Sequence, residues 1–440
     1  MKQTTTWPSV ALKRLAAVMP SNVDKHSVEG EHPVRLCNYV DVYRNDRIRD
    51  DMEFMAATAT DAQIERFTLR AQDVLATKDS EEPSDIGVPS HVPRDMPGVI
   101  CGYHLAVFRP NQEKLHGGFL AWALRSRPVQ AYYETAATGI SRYALSINDL
   151  GMTPVPVPNF SEQQRIADFL DEQTARIDAL IAEKEKLAGA LKDIEEVTGF
   201  DLVTRGVTAV QKRVSYSEPW LAEVPHHWKL SKLRHVARVG NGSTPKRDND
   251  EYWVGGFIPW LNSGSVNSAR ICEASDFVTE TARKECHLPM VRAGSTLVAL
   301  TGQGKTRGTA AYAELETTIN QHLAYISPFD SRITDEFLWV ALTGFYSVLR
   351  LLSEGEGSTK GALTCEQLNQ FRIPLPPVDE QSRIVQAYKA RTQAIEGLLV
   401  HAREHIERLR EYRSSLISAA VAGQLDLGDS KTRREERLAA

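Results

Sequence analysis

The sequence predicts an α+β protein built twice over. Two tandem mixed α/β domains are separated by two long helices that pair as an antiparallel coiled coil, with pseudo-two-fold symmetry. Three observations carry this. A Pro-punctuated run, VPVPNFSEQQRI from Val155 to Ile166, returns later in the chain as IPLPPVDEQSRI from Ile373 to Ile384. The offset between those two runs also links His104 with His322, Phe119 with Phe337, Leu145 with Leu363 and Leu150 with Leu368. Beyond each copy of the run, apolar residues recur in alternating steps of four and three, the spacing of a heptad seam.

The elements follow in order. Residues 1–160 form the first mixed domain. WPSVALKRLAAV opens it, VRLCNYVDVY and DVLAT read as strands, and GVICGYHLAVFRP is a strand run with a polar centre. FLAWALRSRPVQAYYETAA reads as an amphipathic helix. The loops at 43–52 and 78–97 are rich in Arg, Asp, Ser, Pro and His. TPVPVP cannot continue a helix and becomes an extended connector. Ser161 stands three residues before Gln164, a capping-box pattern that starts the first long helix, 161–207. Its seam is Ile166, Leu170, Gln173, Ile177, Leu180, Lys184, Leu187, Leu191 and Ile194.

The second mixed domain, 208–378, opens on HHWKLSKLRHVARV. IPWLNSGSV parallels VRLCNYVDV, Ser295–Leu300 is a strand, and TINQHLAYISP echoes VICGYHLAVFRP. The second long helix, 379–427, has its seam at Ile384, Tyr388, Arg391, Ile395, Leu398, Ala402, His405, Leu409, Tyr412 and Leu416. A charged tail, 428–440, closes the chain. At ~1.5 Å per residue, ~30 shared residues give a rod ~50 Å long. Antiparallel pairing would set the two domains at its opposite ends.

Bulk composition narrows the class. With 440 residues, 42% apolar and 25% charged, the chain reads as a soluble protein of two or more domains. No apolar run reaches the ~20 residues of a membrane span, and the N-terminus lacks a signal-peptide core, so a cytoplasmic protein without membrane contact is expected. Five scattered cysteines without a CxxC pair fit reduced thiols. The net charge of −5 is unevenly spread. Ser161–Glu196 holds ten acids and five bases, whereas His287–Ala313 has no acid but carries Arg292, Lys305 and Arg307.

Three constellations could carry chemistry. Gly240–Arg247, GNGSTPKR, joins small residues to two cations, as loops do that approach a phosphate. The following EYWVGGFIPWLNSGSV adds aromatics and amides suited to base edges. Ala299–Thr306, ALTGQGKT, satisfies a loose phosphate-loop pattern, but such a loop must open a long helix. RGTAAYAEL is too short and Gly-broken for that, so a basic turn between strands is the preferred reading. His401–His405, HAREH, matches a zinc-peptidase pattern. It lies within the second helix with little chain left for a third ligand, so a helix face is favoured over a metal site. The sequence shows no amino-methylation motif, no methyl-donor loop and no nuclease carboxylate–lysine cluster.

These residues resemble the specificity subunit of type I restriction–modification enzymes. The carriers are the duplicated connector with Glu162, Gln163, Arg165 and Ile166, matched by Glu380, Gln381, Arg383 and Ile384, together with GNGSTPKRDNDEYWVGGFIPWLNSGSV and VAGQLDL. The first domain departs from the pattern, having VMPSNVDKHSVEG in place of GNGSTPKRDNDEYW. The resemblance implies a non-catalytic, bacterial or archaeal reader of double-stranded DNA. Each domain is expected to read one half of a split target, and the helices to set the spacing and dock two methyltransferase subunits through Glu162, Gln163, Arg165, Glu380, Gln381 and Arg383. Restriction–translocase subunits would join the complex. No cofactor is expected in this chain; S-adenosylmethionine, ATP and magnesium belong to the partners.

The DNA-contacting residues expected in the first domain are Asn38, Tyr39, Arg44, Arg47, Lys78, His91, Arg142 and Tyr143. Those expected in the second are Ser243, Thr244, Lys246, Arg247, Asn262, Ser263, Gln303, Lys305, Arg307 and Lys360. Cations would hold phosphates, while amides and hydroxyls would read bases. Two other readings stand beside this one: a nucleotide hydrolase using ALTGQGKT, and a coiled-coil scaffold whose domains bind protein.

Overall fold

The computed structural model describes residues 7–208, 212–302, 304–354 and 361–427. Gln303, Lys360 and the tail 428–440 lie outside the described residues. By packing, the chain divides into Met1–Glu185 with Glu404–Ala440, and Lys186–Arg403.

In the first unit, an antiparallel sheet runs Ala16–Pro20, Leu105–Pro110, Val74–Thr77, Pro89–His91 in spatial order. A second sheet centres His32–Cys37 between Met55–Ala59 (antiparallel) and Val99–Cys101 (parallel). The second unit repeats both. Its antiparallel part runs Ala237–Asn241, Leu323–Pro328, Thr296–Ala299, Ala310–Ala313, with Arg270–Ile271 added at the edge. Its other sheet centres Ile258–Leu261 between Asp276–Val278 (antiparallel) and Thr318–Ile319 (parallel). The register repeats as well: Ala16 faces Pro110 as Ala237 faces Pro328, and Leu36 faces Ile100 as Trp260 faces Thr318.

Local chemistry revises three expectations. VRLCNYVDVY is strand only to Cys37, and a helix, Tyr39–Arg44, follows. Asn38 caps it, and the Asp41 carboxylate accepts the Asn38 N–H at 2.7 Å, which outweighs the β-branched valines. FLAWALRSRPVQAYYETAA is two helices, Gly117–Leu124 and Arg127–Ala136. The break falls at Ser126, where Pro128 sits at the start of the second helix, the place its ring favours. The first of these helices is buried on all sides, so it has no polar face. Finally, the long helix is capped by Asn159, whose Oδ1 accepts from the Glu162 N–H at 2.9 Å; Ser161 lies within the helix.

The two long helices are Phe160–Arg205 (the central helix) and Val378–Val421 (the C-terminal helix). They run antiparallel within each unit. In the first, Asp178 meets Arg413 and Glu185 meets Arg410. In the second, Leu191 packs with Ile395 and Leu399, and Gly199 lies beside Tyr388. The heptad frame fails in detail. Leu180, Leu187, Ile194, Leu398 and Tyr412 are exposed, while Leu399, Ile406 and Ile417 are buried. The inward positions nevertheless keep a strict four-three spacing, Tyr388, Thr392, Ile395, Leu399, Ala402, Ile406, Leu409, Arg413 and Leu416 in the C-terminal helix, so the heptad holds and one of its two columns stands one residue later than the seam expected. His405 belongs to the displaced column and is exposed, with Ile406 buried in its place. In the second unit the central helix meets Asp335–Gly344 through two glycines. A Cβ on Gly344 would lie 2.7 Å from the Gly199 carbonyl, so side chains are excluded where these helices cross.

Candidate nucleic-acid interface

In the second unit, strand Ala237–Asn241 delivers the loop 242–247 onto the turn at 319–322. Gly242 makes this possible, because a Cβ there would stand 1.7 Å from the Ile319 carbonyl oxygen. The approach lines up a chain of polar groups at the surface. Thr244 Oγ1 donates to Gln321 Oε1 at 2.6 Å. Gln321 Nε2 lies 3.3 Å from His322 Nε2, and His322 Nδ1 lies 2.9 Å from Thr301 Oγ1. Three loops thus converge on one row of donors and acceptors, the equipment needed to read base edges. Asn262 ends strand Ile258–Leu261 and turns its Oδ1 onto the Gly264 N–H at 2.8 Å, fixing the neighbouring Ser263 turn.

The expected cations of this unit behave differently from one another. Lys246 is exposed, and its carbonyl accepts from Trp253 Nε1 at 2.8 Å. Lys305 is exposed on a loop tied down by the Tyr346 hydroxyl, which donates to its carbonyl at 2.8 Å. Arg247 is already committed. Its guanidinium stacks 4.0 Å from the Trp253 ring centre and 4.9 Å from that of Trp260, and reaches Asp276 at 3.2 Å. Arg307 is a correction. Its side chain is 12% exposed and bonds the Gly361 carbonyl at 2.8 Å, so it braces the fold and cannot hold a phosphate there. Ser243 also turns inward, donating to the Cys286 carbonyl at 2.8 Å. ALTGQGKT passes from strand Thr296–Ala299 to strand Ala310–Ala313 with no helix after the loop, which removes the geometry a phosphate loop requires.

The first unit gathers charges at the corresponding place. Asp79, 12% exposed, receives His104 Nδ1 at 2.8 Å and Arg142 Nη2 at 2.5 Å. Beside it Lys78 Nζ donates to the Ser21 carbonyl at 2.9 Å and lies 5.4 Å from the Tyr103 ring centre. Burial pulls the Lys78 pKa below its ordinary value, against the opposing pull of Asp79. Tyr39 stacks on Tyr43 with ring centres 5.5 Å apart, and Tyr143 pairs with Ser80 across a short ladder. Arg44 is exposed and has no ion-pair partner among the described residues. Arg47 pairs with Asp171 of the central helix. His91 is a correction: it is buried in strand Pro89–His91, its Nε2 has no partner, and burial pushes its pKa down to about 4. A buried neutral imidazole reads no DNA.

The expected partner-binding set also divides. Gln163 and Gln381 are both 0% exposed and Glu380 is buried, so these three face their own unit and not a partner. Glu380 accepts from His227 Nε2 at 2.9 Å and from Trp228 Nε1 at 3.1 Å. Arg165 meets Glu162 at 3.0 Å, and Arg383 meets Asp379 at 3.2 Å, both on outer helix faces. HAREH places both histidines on the surface, and no group of three metal-ligating side chains occurs among the described residues.

Sequence reasoning missed Asp79, Tyr103, His104, Thr301, Gln321 and His322. One signal was available: the two histidines stand at the repeat offset, and a polar residue retained in both copies points to a shared site.

Comparison with known proteins gives a consistent picture. Residues 225–399 match the family model described as the type I restriction modification DNA specificity domain. The specificity subunit of the type I restriction enzyme MjaIX of Methanocaldococcus jannaschii is 30% identical over 172 residues, 38% of this chain and 39% of the relative. The putative MjaX specificity subunit of the same organism is 22% identical over 331 residues, covering 74% of this chain and 72% of the relative. The chain therefore spans about two-fifths of the first relative's length and nearly three-quarters of the second's. A chain from a solved type I R-M system, described for its complex assembly and conformational transition, superposes with a TM-score of 0.73 at 20% identity. The match covers 97% of this chain and all of that one, a likeness of fold.

Proposed function

We propose, from the premise that this chain belongs to the specificity subunits of type I restriction–modification systems, that it is the DNA-reading subunit of such a complex. Each α/β head reads one half of a bipartite duplex target. The paired helices, with pseudo-two-fold symmetry between the repeats, set the distance between the halves and carry two methyltransferase subunits; restriction–translocase subunits complete the assembly. The chain itself transfers no methyl group and cuts no bond. S-adenosylmethionine, ATP and magnesium act in the partner subunits.

The observation that carries this reading is the repeated head, with one site built at the same place in two chemistries. In the first head, Asp79 and Arg142 present charge beside His104. In the second, Thr244, Gln321 and Thr301 present neutral donors and acceptors beside His322. Two similar heads with unlike reading groups suit two unlike half-sites, separated by roughly a turn of DNA or its multiple. Lys246, Lys305 and Arg44 hold phosphates in this reading, which is supported by their exposure and by the lack of an ion pair to them among the described residues.

Footprinting of the complex assembled with its methyltransferase partners tests the reading. The expected pattern is two protected, sequence-specific blocks flanking an unspecific gap, weakening steeply with salt. A single continuous recognised block would overturn it.

A further inference from the structure

The buried glutamines of the two connectors form the same joint twice. Gln163 Oε1 accepts from the His116 N–H at 2.8 Å, and its Nε2 donates to the carbonyls of Lys114 (3.0 Å) and Pro158 (2.9 Å). Gln381 Oε1 accepts from the Thr334 N–H at 2.9 Å, and its Nε2 donates to the carbonyls of Arg332 (2.7 Å) and Pro376 (2.9 Å). Every partner in one joint stands at the repeat offset from its counterpart in the other. His116 and Thr334 are the caps of the head helices Gly117–Leu124 and Asp335–Gly344. One amide therefore ties three points together: the long helix that carries it, the start of a head helix, and the Pro-rich connector. Only a carboxamide offers an acceptor and two donors on one planar group, so no other chemistry satisfies all three backbone groups.

We infer that Gln163 and Gln381 are positioning residues for bipartite recognition: each locks its head to its long helix, and that stiffness is what lets the chain measure the gap between half-sites. The inference rests on the reading proposed above. A bivalent binder rejects a wrong spacing only as strongly as its joints resist bending. A head on a loose joint would swing to meet a half-site displaced by a base pair; a head clamped at three points cannot.

The two joints differ in reserve. In the second unit the neighbouring Glu380 also turns in, bonding His227 and Trp228. Gly206 permits this, because a Cβ there would lie 3.1 Å from the Trp228 ring and 3.2 Å from Glu380 Oε1. In the first unit Glu162 pairs outward with Arg165 on its own helix. The second joint thus has a further latch at its connector, while the first head meets its long helix again at Asp171, which accepts from Trp122 Nε1 at 3.0 Å and pairs with Arg47.

The test uses the full complex with its methyltransferase partners. Its affinity is measured for duplexes carrying the native target and for targets with the gap one base pair longer or shorter. The variants are Gln163→Leu and Gln381→Leu, which remove all three bonds, and Gln163→Glu and Gln381→Glu, which keep the shape and an acceptor but set a carboxyl group against two backbone carbonyls. The parent complex is expected to discriminate between gaps. Gln163→Leu and Gln381→Leu are each expected to lower that discrimination about tenfold. Hydrogen exchange at the His116 and Thr334 amides reports the joint directly and should quicken in the matching variant, in the Glu variants too if the Leu variants fail to assemble. Gap discrimination that stays at the parent level while those amides exchange faster, or while melting temperature falls, overturns the inference and leaves bipartite recognition intact. A parent complex blind to the gap overturns the proposed function itself.

Discussion

The two heads place a histidine at one and the same point of the fold and give it different company. His104 precedes strand Leu105–Pro110 and meets Asp79, two residues past strand Val74–Thr77. His322 precedes strand Leu323–Pro328 and meets Thr301, two residues past strand Thr296–Ala299. The strands, the register and the imidazole are retained. The partner has changed from a carboxylate that also gathers Arg142 to a hydroxyl in a neutral row with Gln321 and Thr244. A duplicated scaffold can therefore change the polar groups around one imidazole while keeping its strands and their register.

The comparison can be broken at its centre. Asp79→Asn strips the carboxylate from His104 and Arg142 in a site that is mostly buried. It is expected to cost about 2 kcal/mol in denaturant unfolding, discounted for the exposed Arg142 side, and to abolish discrimination at one half-site. Thr301→Val at the matching place removes one neutral hydrogen bond and should cost about 1 kcal/mol or less. Equal losses at the two positions would contradict the assigned difference.

Acid should separate the units as well. His91 is neutral in the fold, with its pKa depressed to about 4, whereas the unfolded chain takes up that proton near pH 6.5. Below that value the unfolded state binds more protons, so stability falls as pH drops from about 6.5 towards 4. At pH 5 the loss is about 2 kcal/mol. Tyr312 occupies the corresponding strand position in the second unit and adds no such term there. Unfolding midpoints at pH 7 and pH 5 for the parent and His91→Gln check this; the variant should lose less stability on acidification.

The smallest effects belong to the surface cations. Lys246→Ala and Arg44→Ala should each weaken binding to all sequences alike and reduce the salt slope by about 1, without changing which bases are preferred. Arg307→Ala is the contrast. As a buried brace it should lower stability and leave the salt slope alone.

Much of this architecture was legible in the sequence. The constant offset between the repeats announced the duplication, the two long helices and their joints. Strands such as Val74–Thr77 and Leu105–Pro110 were visible as apolar runs. What escaped depended on tertiary context. Arg307 and His91 read as surface groups because charge and polarity say nothing of a nearby Gly361 or strand edge, and the stacking of the exposed Arg247 on Trp253 was hidden in the same way. Gln163 and Gln381 looked like helix-surface residues, since their roles exist only where a connector, a helix start and a long helix converge. The heptad repeat was right in one column, which stays buried through Ile177, Leu191, Ile395, Ala402 and Leu416, and one residue early in the other, where Leu399 and Ile406 are buried instead of Leu398 and His405.

The central claim, that two heads on paired helices read two halves of one target, meets its most direct test in the genome. Methylated bases are mapped in cells carrying the native system and in cells whose second head, residues 225–372, is exchanged for that of a relative. The account predicts a motif in two parts around a fixed gap, with one part rewritten by the exchange while the other part and the gap stay unchanged. A motif without a gap, or an exchange that rewrites both parts, would contradict it.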